Sequence, residues 1–354
     1  MPAIPAPTTP APAVLAPSVC VIVVAYNSGA YLGPCIDALK AQGFRDFEAI
    51  LVDNGSSDGS IERLGPLPPN FRVLRFADNL GFAAANNRAA AATRAPWLAL
   101  LNPDAVAAPD WLEKLMAAMR RHPDIVMFGS AQVKLGDPGI WDGLGDAYHA
   151  AGIPWRGGFG WRVEGGAPEG EVFGPCAAAA LYRRDLFLAA GGFDERFFCY
   201  VEDVDLAFRL RLMGHRALQV ADAVVQHAGS GTAGRATDFT LFHSWRNRSW
   251  TFVKNMPTPL FWPLLPAHLV AVAAVLAWFW LLPGHRGAIG PRWQGLVAAL
   301  KGVGPIWRSR RAIQRARTAS LCAIARAMTW WPLAAMRRAP AVRPMHKLPS
   351  RLSP

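Results

Sequence analysis

The chain has 354 residues, of which 52% are hydrophobic and only 18% charged, and its formal net charge is +12. This composition excludes wholesale disorder, and the length allows one large core or two modest ones. The positive charge admits three kinds of partner: nucleic acid, an anionic membrane surface or a phosphorylated substrate. The five cysteines lack the spacing of metal ligands, which indicates reduced thiols rather than disulfides or a zinc site.

Strands and helices alternate through residues 18–256, after an Ala/Pro-rich leader (1–17) that predicts disorder. A β-branched run at residues 19–24 predicts a strand buried on both faces. Further strands are predicted at 48–52, 71–76, 97–101, 125–128, 177–182 and 223–227, and helices at 30–42, 86–93, 111–121, 184–190 and 204–213. This alternation indicates βαβ units in a doubly wound α/β sheet. Residues 135–174, rich in Gly and Trp, predict a long insertion of loops that shapes a substrate site.

The C-terminal region changes character. Residues 260–282 carry no formal charge, but Pro263 and Pro266 interrupt their start and leave sixteen residues, too short for a bilayer core. Residues 284–354 hold fourteen lysines and arginines and no acid, so they supply the whole positive surplus. The predicted basic face contains Arg308, Arg311 and Arg315 with Arg310 and Arg317 beside them, and its apolar counterpart contains Ile306, Ile313, Ile324 and Met328.

This pattern predicts that residues 257–338 form hydrophobic and Arg-rich helices on an anionic membrane surface, followed by a disordered basic tail at 339–354. So basic a tail favours the cytoplasmic side. If the substrate is also cytosolic, both flanks of residues 260–282 lie on one side, and a monotopic or re-entrant segment fits better than a single crossing. A buried helical hairpin and a true span are the alternatives. The neighbouring apolar segment favours lipid over nucleic acid as the partner of the basic tail.

Acidic residues follow the predicted strands at the edge where open α/β sheets bind ligands. Asp53 follows the second strand and Asp104 the fourth, although a lone acid at such a place is also a common helix cap. Bulky apolar residues precede Glu202 and Asp203, and this desolvation would raise a carboxyl pKa toward that of a working base. The same acids would also suit the N-terminus of a helix. His227 ends an apolar stretch and is either structural or a metal ligand.

Five stretches in order resemble the family 2 inverting glycosyltransferases of GT-A fold, and most closely their rhamnosyltransferase-like branch. They are VIVVAYN at 21–27, VDNGSSDGS at 52–60, NLGFAAANN at 79–87, LNPDA at 101–105 and GGFDERFF at 191–198 running into YVEDVDL at 200–206. The resemblance covers about residues 18–256. It implies a GT-A, Rossmann-like mixed sheet and transfer of a sugar from a nucleotide-sugar donor.

The resemblance also assigns roles to individual residues. The match of Asp53 binds the nucleotide base, with Ala25, Tyr26 and Asn27 around it, and Asn86 and Asn102 join the nucleotide-sugar-binding set. Asp104 closes the metal-binding D-x-D element, His227 matches a metal ligand of related enzymes, and the metal would be Mg²⁺ or Mn²⁺. Glu202 and Asp203 match the catalytic E-D element, with Asp203 as general base. One departure is Asn102, which stands where D-x-D has its first Asp, so metal binding would rest on Asp104 and His227.

These observations predict an inverting transferase that moves rhamnose from dTDP-rhamnose to a lipid-linked or cell-envelope glycan at the cytoplasmic face of the membrane. One carboxylate base suffices for such a single displacement. Three alternatives stay open: the same chemistry with another UDP- or GDP-sugar, a nucleotidyltransferase, and a non-catalytic membrane-bound scaffold. The absence of a basic Gly-rich loop after the first strand disfavours the nucleotidyltransferase.

Overall fold

The computed structural model describes residues 16–229, 237–281 and 286–345. Most of the predicted leader and residues 346–354 of the predicted tail lie outside these ranges. The strands are β1 Val19–Ala25, β2 Phe47–Asn54, β3 Phe71–Phe76, β4 Trp97–Leu101, β5 Ala105–Ala107, β6 Met127–Lys134, β7 Asp137–Gly143, β8 Asp146–His149, β9 Ile153–Arg156, β10 Gly170–Val172, β11 Ala179–Arg183 and β12 Ala217–His227. The helices are α1 Leu32–Lys40, α2 Gly81–Ala91, α3 Trp111–Arg121, α4 Arg184–Ala189, α5 Glu202–Leu212, α6 Asp238–Asn255, α7 Thr258–Leu281, α8 Ile289–Lys301, α9 Val303–Arg315, α10 Leu321–Ala327 and α11 Pro332–Arg337.

A mixed sheet of ten strands forms the centre of the molecule. Its main path runs β10-β12-β6-β11-β4-β1-β2-β3, with β5 paired to β12 and β7 paired to β6. The β4-β1-β2-β3 half is parallel, whereas β11 runs antiparallel to both β4 and β6. The strand order 3-2-1-4 is that of a Rossmann-like half, and the prediction of a doubly wound mixed α/β sheet is confirmed.

Apolar residues pack on both faces of the sheet, and β1 is therefore buried along its whole length. Val19, Val21 and Val23 point to one face, where α1 and α3 pack, and Cys20, Ile22 and Val24 point to the other, where α2, α4 and α5 pack. The period-2 alternation of a strand thus divides one β-branched run between two cores. The carboxyl ends of β1, β2 and β4 consequently meet at one edge of the sheet.

The region 135–174, predicted as a long insertion with loops, contains strands as well as loops. These residues contain all of β7, then β8 and β9, which form a two-stranded hairpin, and β10 at the sheet edge. Their strands are short and Gly-rich, so they carry no clear alternation of apolar residues. Helices α2 and α5 begin at residues 81 and 202, earlier than predicted, because a Gly and two acids open them instead of apolar residues.

The uncharged segment forms one helix, α7, which continues through Pro263 and Pro266. Its 24 residues span roughly 36 Å at about 1.5 Å per residue, so the expectation of a segment broken and too short is wrong. Among the described residues it is the one helix with the length and composition to cross a membrane, and only 6% of its most apolar window is buried. Because α7 is so exposed, the alternative that residues 260–282 form a buried helical hairpin is wrong.

Helices α8 and α9 pack along α6, so the chain on both sides of α7 returns to the same body. Ile306, Ile324 and Met328 are buried against this body, and the expectation that they face a bilayer is wrong. Arg310 was predicted beside the basic face but is buried, and its guanidinium donates to the carbonyls of Val253 and Met256 at the end of α6. Residues 339–345 pack beside β10, although they were expected to be disordered.

Candidate active site

A cleft of about 1230 Å³ opens at the carboxyl edge of the sheet. Six of the predicted site residues line it: Tyr26, Asn102, Asp104, Glu202, Asp203 and His227. They come from the ends of β1, β4 and β12 and from the start of α5. The opposite wall is formed by the β8–β9 hairpin, one face of α6 and the end of α11. The fold therefore brings the D-x-D-like, E-D and His elements into one cavity.

His227 is clamped between two carboxylates. Antiparallel pairing of β5 with β12 places Ala105 opposite His227, which brings the Asp104 carboxylate to 3.2 Å from His227 Nε2. On the other side of the ring, His227 Nδ1 lies 2.7 Å from Asp142 Oδ2, and Arg156 binds the same oxygen at 2.5 Å. Asn102 Nδ2 lies 3.3 Å from Nε2. Burial alone would lower the pKa of His227, but its bonds to Asp104 and Asp142 outweigh burial and raise it.

This arrangement fits a divalent cation. A carboxylate on Nδ1 fixes the imidazole so that Nε2 presents its lone pair, which is the usual outer-shell support of a metal-ligating His. The lone pair and the Asp104 oxygen then face the same point, and oxygen with imidazole suits Mn²⁺ or Mg²⁺. Asn102 offers an amide where D-x-D has its first acid, so a cation here would rest on Asp104 and His227.

Asp203 and Glu202 have different environments although they are neighbours. Asp203 is partly exposed to the cleft, and its oxygens accept from the backbone N–H groups of Ala177 at 3.1 Å and Val204 at 2.8 Å. Glu202 is only 5% exposed, and burial followed by the charge of Asp203 raises its pKa well above the ordinary value. Asp146 is also buried with a raised pKa, from burial and then from Asp203. The geometry thus favours Asp203 as the carboxylate presented to a substrate.

A strained loop presents these acids. Phe198, Tyr200 and Val201 have φ values of 65°, 68° and 69°, a region that a β-branched residue such as Val201 rarely adopts. The buried amide of Asn247 on α6 donates to the carbonyl oxygens of Phe197, Cys199 and Tyr200 at 2.8–2.9 Å. The loop packs directly on Gly81 (φ +82°), where only glycine leaves enough room, because a Cβ there would lie 2.5 Å from the Phe198 ring. Strain of this kind clusters at functional sites.

The remaining predicted residues lie beside the cleft rather than on it. Ala25 pairs with Asp53 across β1 and β2, and Asp53 accepts from Arg75 at 2.9 Å and from the Ser56 N–H. The Asn27 side chain accepts a hydrogen bond from the Ser57 N–H, which connects the turn after β1 to the turn after β2. The structure does not bring Asn86 into the cleft, since it is buried and donates to Phe82 of its own helix. Asn54 and Asn79, bonded at 2.9 Å, line the cleft instead.

The sequence reasoning missed Asp142, Asp146, Arg156 and Asn247. The first three lie in or beside strands of the 135–174 region, where weak periodicity hid the strands that carry them. Asn247 lies on α6, beyond the quoted motifs. Three Asp residues at 137, 142 and 146, in a chain with only 25 acids, were the available signal for Asp142 and Asp146.

The comparisons with known proteins agree with this geometry. A sequence model of glycosyl transferase family 2 matches residues 20–189. The chain is 31% identical over 248 residues to an N-acetylglucosaminyl-diphospho-decaprenol L-rhamnosyltransferase of Mycobacterium tuberculosis, covering 61% of this chain and 77% of that one. It is 29% identical to the O-antigen biosynthesis protein RfbC of Myxococcus xanthus, over 60% of this chain but 17% of that one.

Two solved structures share the fold. A mannosyltransferase of Pyrobaculum calidifontis in complex with GDP-Man and Mn²⁺ aligns with a TM-score of 0.51 and 19% identity, covering 89% of this chain and 88% of that one. The structure of GalNAc-T7 with UDP, GalNAc and Mn²⁺ aligns with a TM-score of 0.55 and 15% identity, covering 68% and 48%.

The sheet order, the cleft and these similarities define an enzyme of the glycosyltransferase class with the GT-A fold. The chain belongs to glycosyl transferase family 2, and among the relatives named here it is most similar to the rhamnosyltransferase. The resemblance predicted from the five motifs is confirmed, and the similarities give no support to a nucleotidyltransferase.

Proposed function

We propose that the protein transfers a deoxyhexose, rhamnose from dTDP-rhamnose being the first candidate, to a lipid-linked saccharide of the cell envelope. The convergence of Asp104, His227 and Asp203 in one cleft carries this proposal. The rhamnosyltransferase of M. tuberculosis, whose name specifies a diphospho-decaprenol acceptor, supports the choice of donor sugar and acceptor. The chain covers 77% of that relative at 31% identity, so the same chemistry with another UDP- or GDP-sugar is the competing assignment.

In this mechanism Asp203 accepts the proton of the acceptor hydroxyl while that oxygen attacks the anomeric carbon from the side opposite the leaving diphosphate, so the configuration inverts. Its two backbone hydrogen bonds hold the carboxylate in place before the acceptor arrives. Asp104 and His227 would hold the divalent cation, with Asp142 fixing the ring. When bound, such a cation neutralises the charge that develops on the diphosphate. Tyr26, Asn54 and Asn79 line the end of the cleft assigned to the nucleotide.

We also propose that α7 lies in the surface of the membrane on its cytoplasmic side. Its exposed face carries Trp262, Leu269, Val270 and Trp278, each at least 58% exposed, and aromatic rings of this kind favour the bilayer interface. Because α8 returns to pack on α6, a single crossing by α7 would separate elements that are in contact. The exposed Arg308, Arg311 and Arg315 of α9 would add attraction to anionic lipid.

A donor panel tests the proposal. Purified full-length protein is offered dTDP-rhamnose, UDP-GlcNAc, UDP-galactose and GDP-mannose with a polyprenyl diphosphate-linked N-acetylglucosamine, in Mg²⁺ or Mn²⁺ or with EDTA. We expect metal-dependent release of nucleoside diphosphate and a rhamnosylated product from dTDP-rhamnose. Turnover with another donor alone would reassign the sugar, and binding of no donor would revive the non-catalytic scaffold.

A further inference from the structure

Arg248 on α6 is an arginine of the cleft wall that the proposed mechanism does not use. Its guanidinium carbon lies 3.4 Å from the centre of the Trp245 ring. It makes no hydrogen bond and no ion pair with any residue in the described part of the chain. The other arginines of the cleft wall differ: Arg156 is bound to Asp142, and Arg338 has contacts of its own.

The electrostatic surroundings of Arg248 are positive. Burial, followed by the charge of Arg292 on α8, lowers its pKa to about 9, and no carboxylate offsets these effects. It also acts electrostatically on His268 of α7, whose ring stacks on Phe252 of α6 at 4.2 Å. A partly buried cation beside a second cation is costly unless an anion binds there. An anion bound at Arg248 would offset this cost.

The position of Arg248 indicates which anion. The donor diphosphate is assigned to Asp104 and His227, at the ends of β4 and β12. Arg248 lies instead on α6 and close to the exposed apolar helix α7: its charge acts on His268, and the neighbouring Arg292 lies 3.8 Å from the Phe279 ring of α7. A lipid-linked diphosphate carries its charge at the membrane surface, with an apolar tail on one side and a saccharide on the other. The junction of a charged cleft with an exposed apolar helix matches that order of groups.

We propose that Arg248 binds the diphosphate of a lipid-linked acceptor and so directs its saccharide toward Asp203. The proposal rests on the transferase function above and names the residue that recognises the acceptor. A planar guanidinium, held flat on Trp245, can donate two parallel hydrogen bonds to phosphate oxygens. The residue is thus a specificity determinant for diphosphate-bearing acceptors.

The test compares two acceptors in the full-length protein: N-acetylglucosamine linked to a polyprenol through a diphosphate, and the same sugar linked directly to an alkyl chain. For Arg248→Met we expect KM for the diphosphate acceptor to rise about 10- to 100-fold. We expect KM for the alkyl glycoside and for the donor to stay within about twofold, and Arg248→Lys to keep part of the affinity. Arg94→Met, which removes an exposed arginine after α2, is the matched control and should behave as wild type.

Equal losses with both acceptors, or a raised KM for the donor alone, would overturn the assignment and place Arg248 on the donor diphosphate or in the fold. If wild-type protein transfers no sugar to either acceptor, the proposed function fails, but calorimetry with farnesyl diphosphate still tests the site. Wild-type binding that is lost in Arg248→Met supports the anion site, whereas equal binding by both proteins contradicts it.

Discussion

Two adjacent acids in the cleft, Glu202 and Asp203, differ in their exposure to solvent and in their hydrogen bonds to backbone N–H groups. Asp203 is held by two N–H donors and faces the cavity, so a hydroxyl can reach its carboxylate. Glu202 is buried, and burial followed by the charge of Asp203 raises its pKa, which disfavours the charged carboxylate that a base requires. Position, not residue type, therefore separates the proposed base from its neighbour.

Asp203→Asn should reduce kcat about 10²- to 10⁴-fold, because the amide cannot accept the acceptor proton. The KM for donor should change little, since the proposed donor ligands lie on other strands. Steady-state rates of nucleoside diphosphate release check this, with Asp124→Asn, an exposed acid after α3, as the control. Transfer by Asp203→Asn at the wild-type rate would remove Asp203 from the role of base.

Asp142→Asn should weaken activation by the metal rather than abolish turnover. Loss of the carboxylate leaves His227 Nδ1 without its fixed partner, and changes of this kind lower metal affinity about 10- to 100-fold. Titration of activity with Mn²⁺ measures the effect, and kcat at saturating metal should approach that of wild type. Asp137→Asn, on the same strand but exposed, should titrate as wild type. An unchanged Mn²⁺ titration in Asp142→Asn would contradict metal binding at His227.

At the scale of elements, α5 and its preceding loop depend on α6. The left-handed backbone at Phe198, Tyr200 and Val201 is unfavourable in isolation, and Asn247 stabilises it from the neighbouring helix. Lys254, near the C-terminal end of the same helix, is buried, and its Nζ lies 2.6 Å from Asp194 Oδ2 and 2.8 Å from Asp205 Oδ2. The geometry of the acids is therefore set by contacts outside the sequence motif.

Asn247→Ala should lower the free energy of unfolding by about 2 kcal/mol, because the carbonyls of Cys199 and Tyr200 lose this donor, whereas that of Phe197 keeps the donors Arg246 and Cys199 N–H. It should also lower kcat more than it changes KM for donor, since Asp203 loses its fixed approach. Urea denaturation and initial rates check both effects. Ser249→Ala, also buried on α6 but bonded only to its own helix, should stay within about 0.5 kcal/mol of wild type. Equal stability of the two variants would show that the loop holds itself.

The pH dependence of stability should report the Lys254 network. Burial alone would raise the pKa of Asp194, but Arg196 and Lys254 outweigh burial and hold this pKa well below its ordinary value of about 3.9. A depressed folded-state pKa gives stability that is present above about pH 4 and is lost as the pH falls below it. Lys254→Met should cost about 3–5 kcal/mol at pH 7, and less below pH 4. Denaturation at pH 7 and pH 3 measures the difference, and a cost independent of pH would rule out the ionic origin.

At the scale of the whole molecule, the predicted basic face and the longest exposed apolar surface lie on different helices, α9 and α7. The arginines exposed on α9 are backed by protein, because the apolar side of that helix is buried. The longest run of exposed apolar residues lies on α7, and others, such as Trp293 and Leu300 of α8, lie on neighbouring helices. Lipid attraction should thus have two separable parts, one screened by salt and one not.

Replacing Arg308, Arg311 and Arg315 together by Gln should weaken binding to vesicles with anionic lipid by about 3 kcal/mol, at about 1 kcal/mol per charge. Binding to zwitterionic vesicles should not change, and 1 M salt should remove the difference. By contrast, Leu269→Gln with Trp278→Gln should weaken binding to both kinds of vesicle. Flotation measures all three proteins. Equal retention of the arginine variant on both vesicle types, or tight binding of wild type to RNA instead, would contradict a lipid role for the basic face.

The parallel half of the sheet was predictable because a strand buried on both faces leaves a continuous apolar run, as at residues 19–24. Asp104, Asp203 and His227 were predictable because they end strands or open a helix at the ligand-binding edge. Asp142 was not, since its strand is short and mostly polar. The burial of Ile306 against protein was not predictable either, because an apolar helix face has the same sequence pattern whether protein or lipid covers it.

The return of α8 onto α6 also has a consequence for the product. Both ends of α7 are tied to the catalytic body. If α7 lies in the membrane surface as proposed, that body cannot rise from the bilayer or tilt freely against it. The proposed base Asp203 would then lie at a constant distance from the bilayer, and that distance would select where along the acceptor the sugar is added. We expect the enzyme to add its sugar at one early position of a growing chain, while longer chains carry their tips beyond its reach.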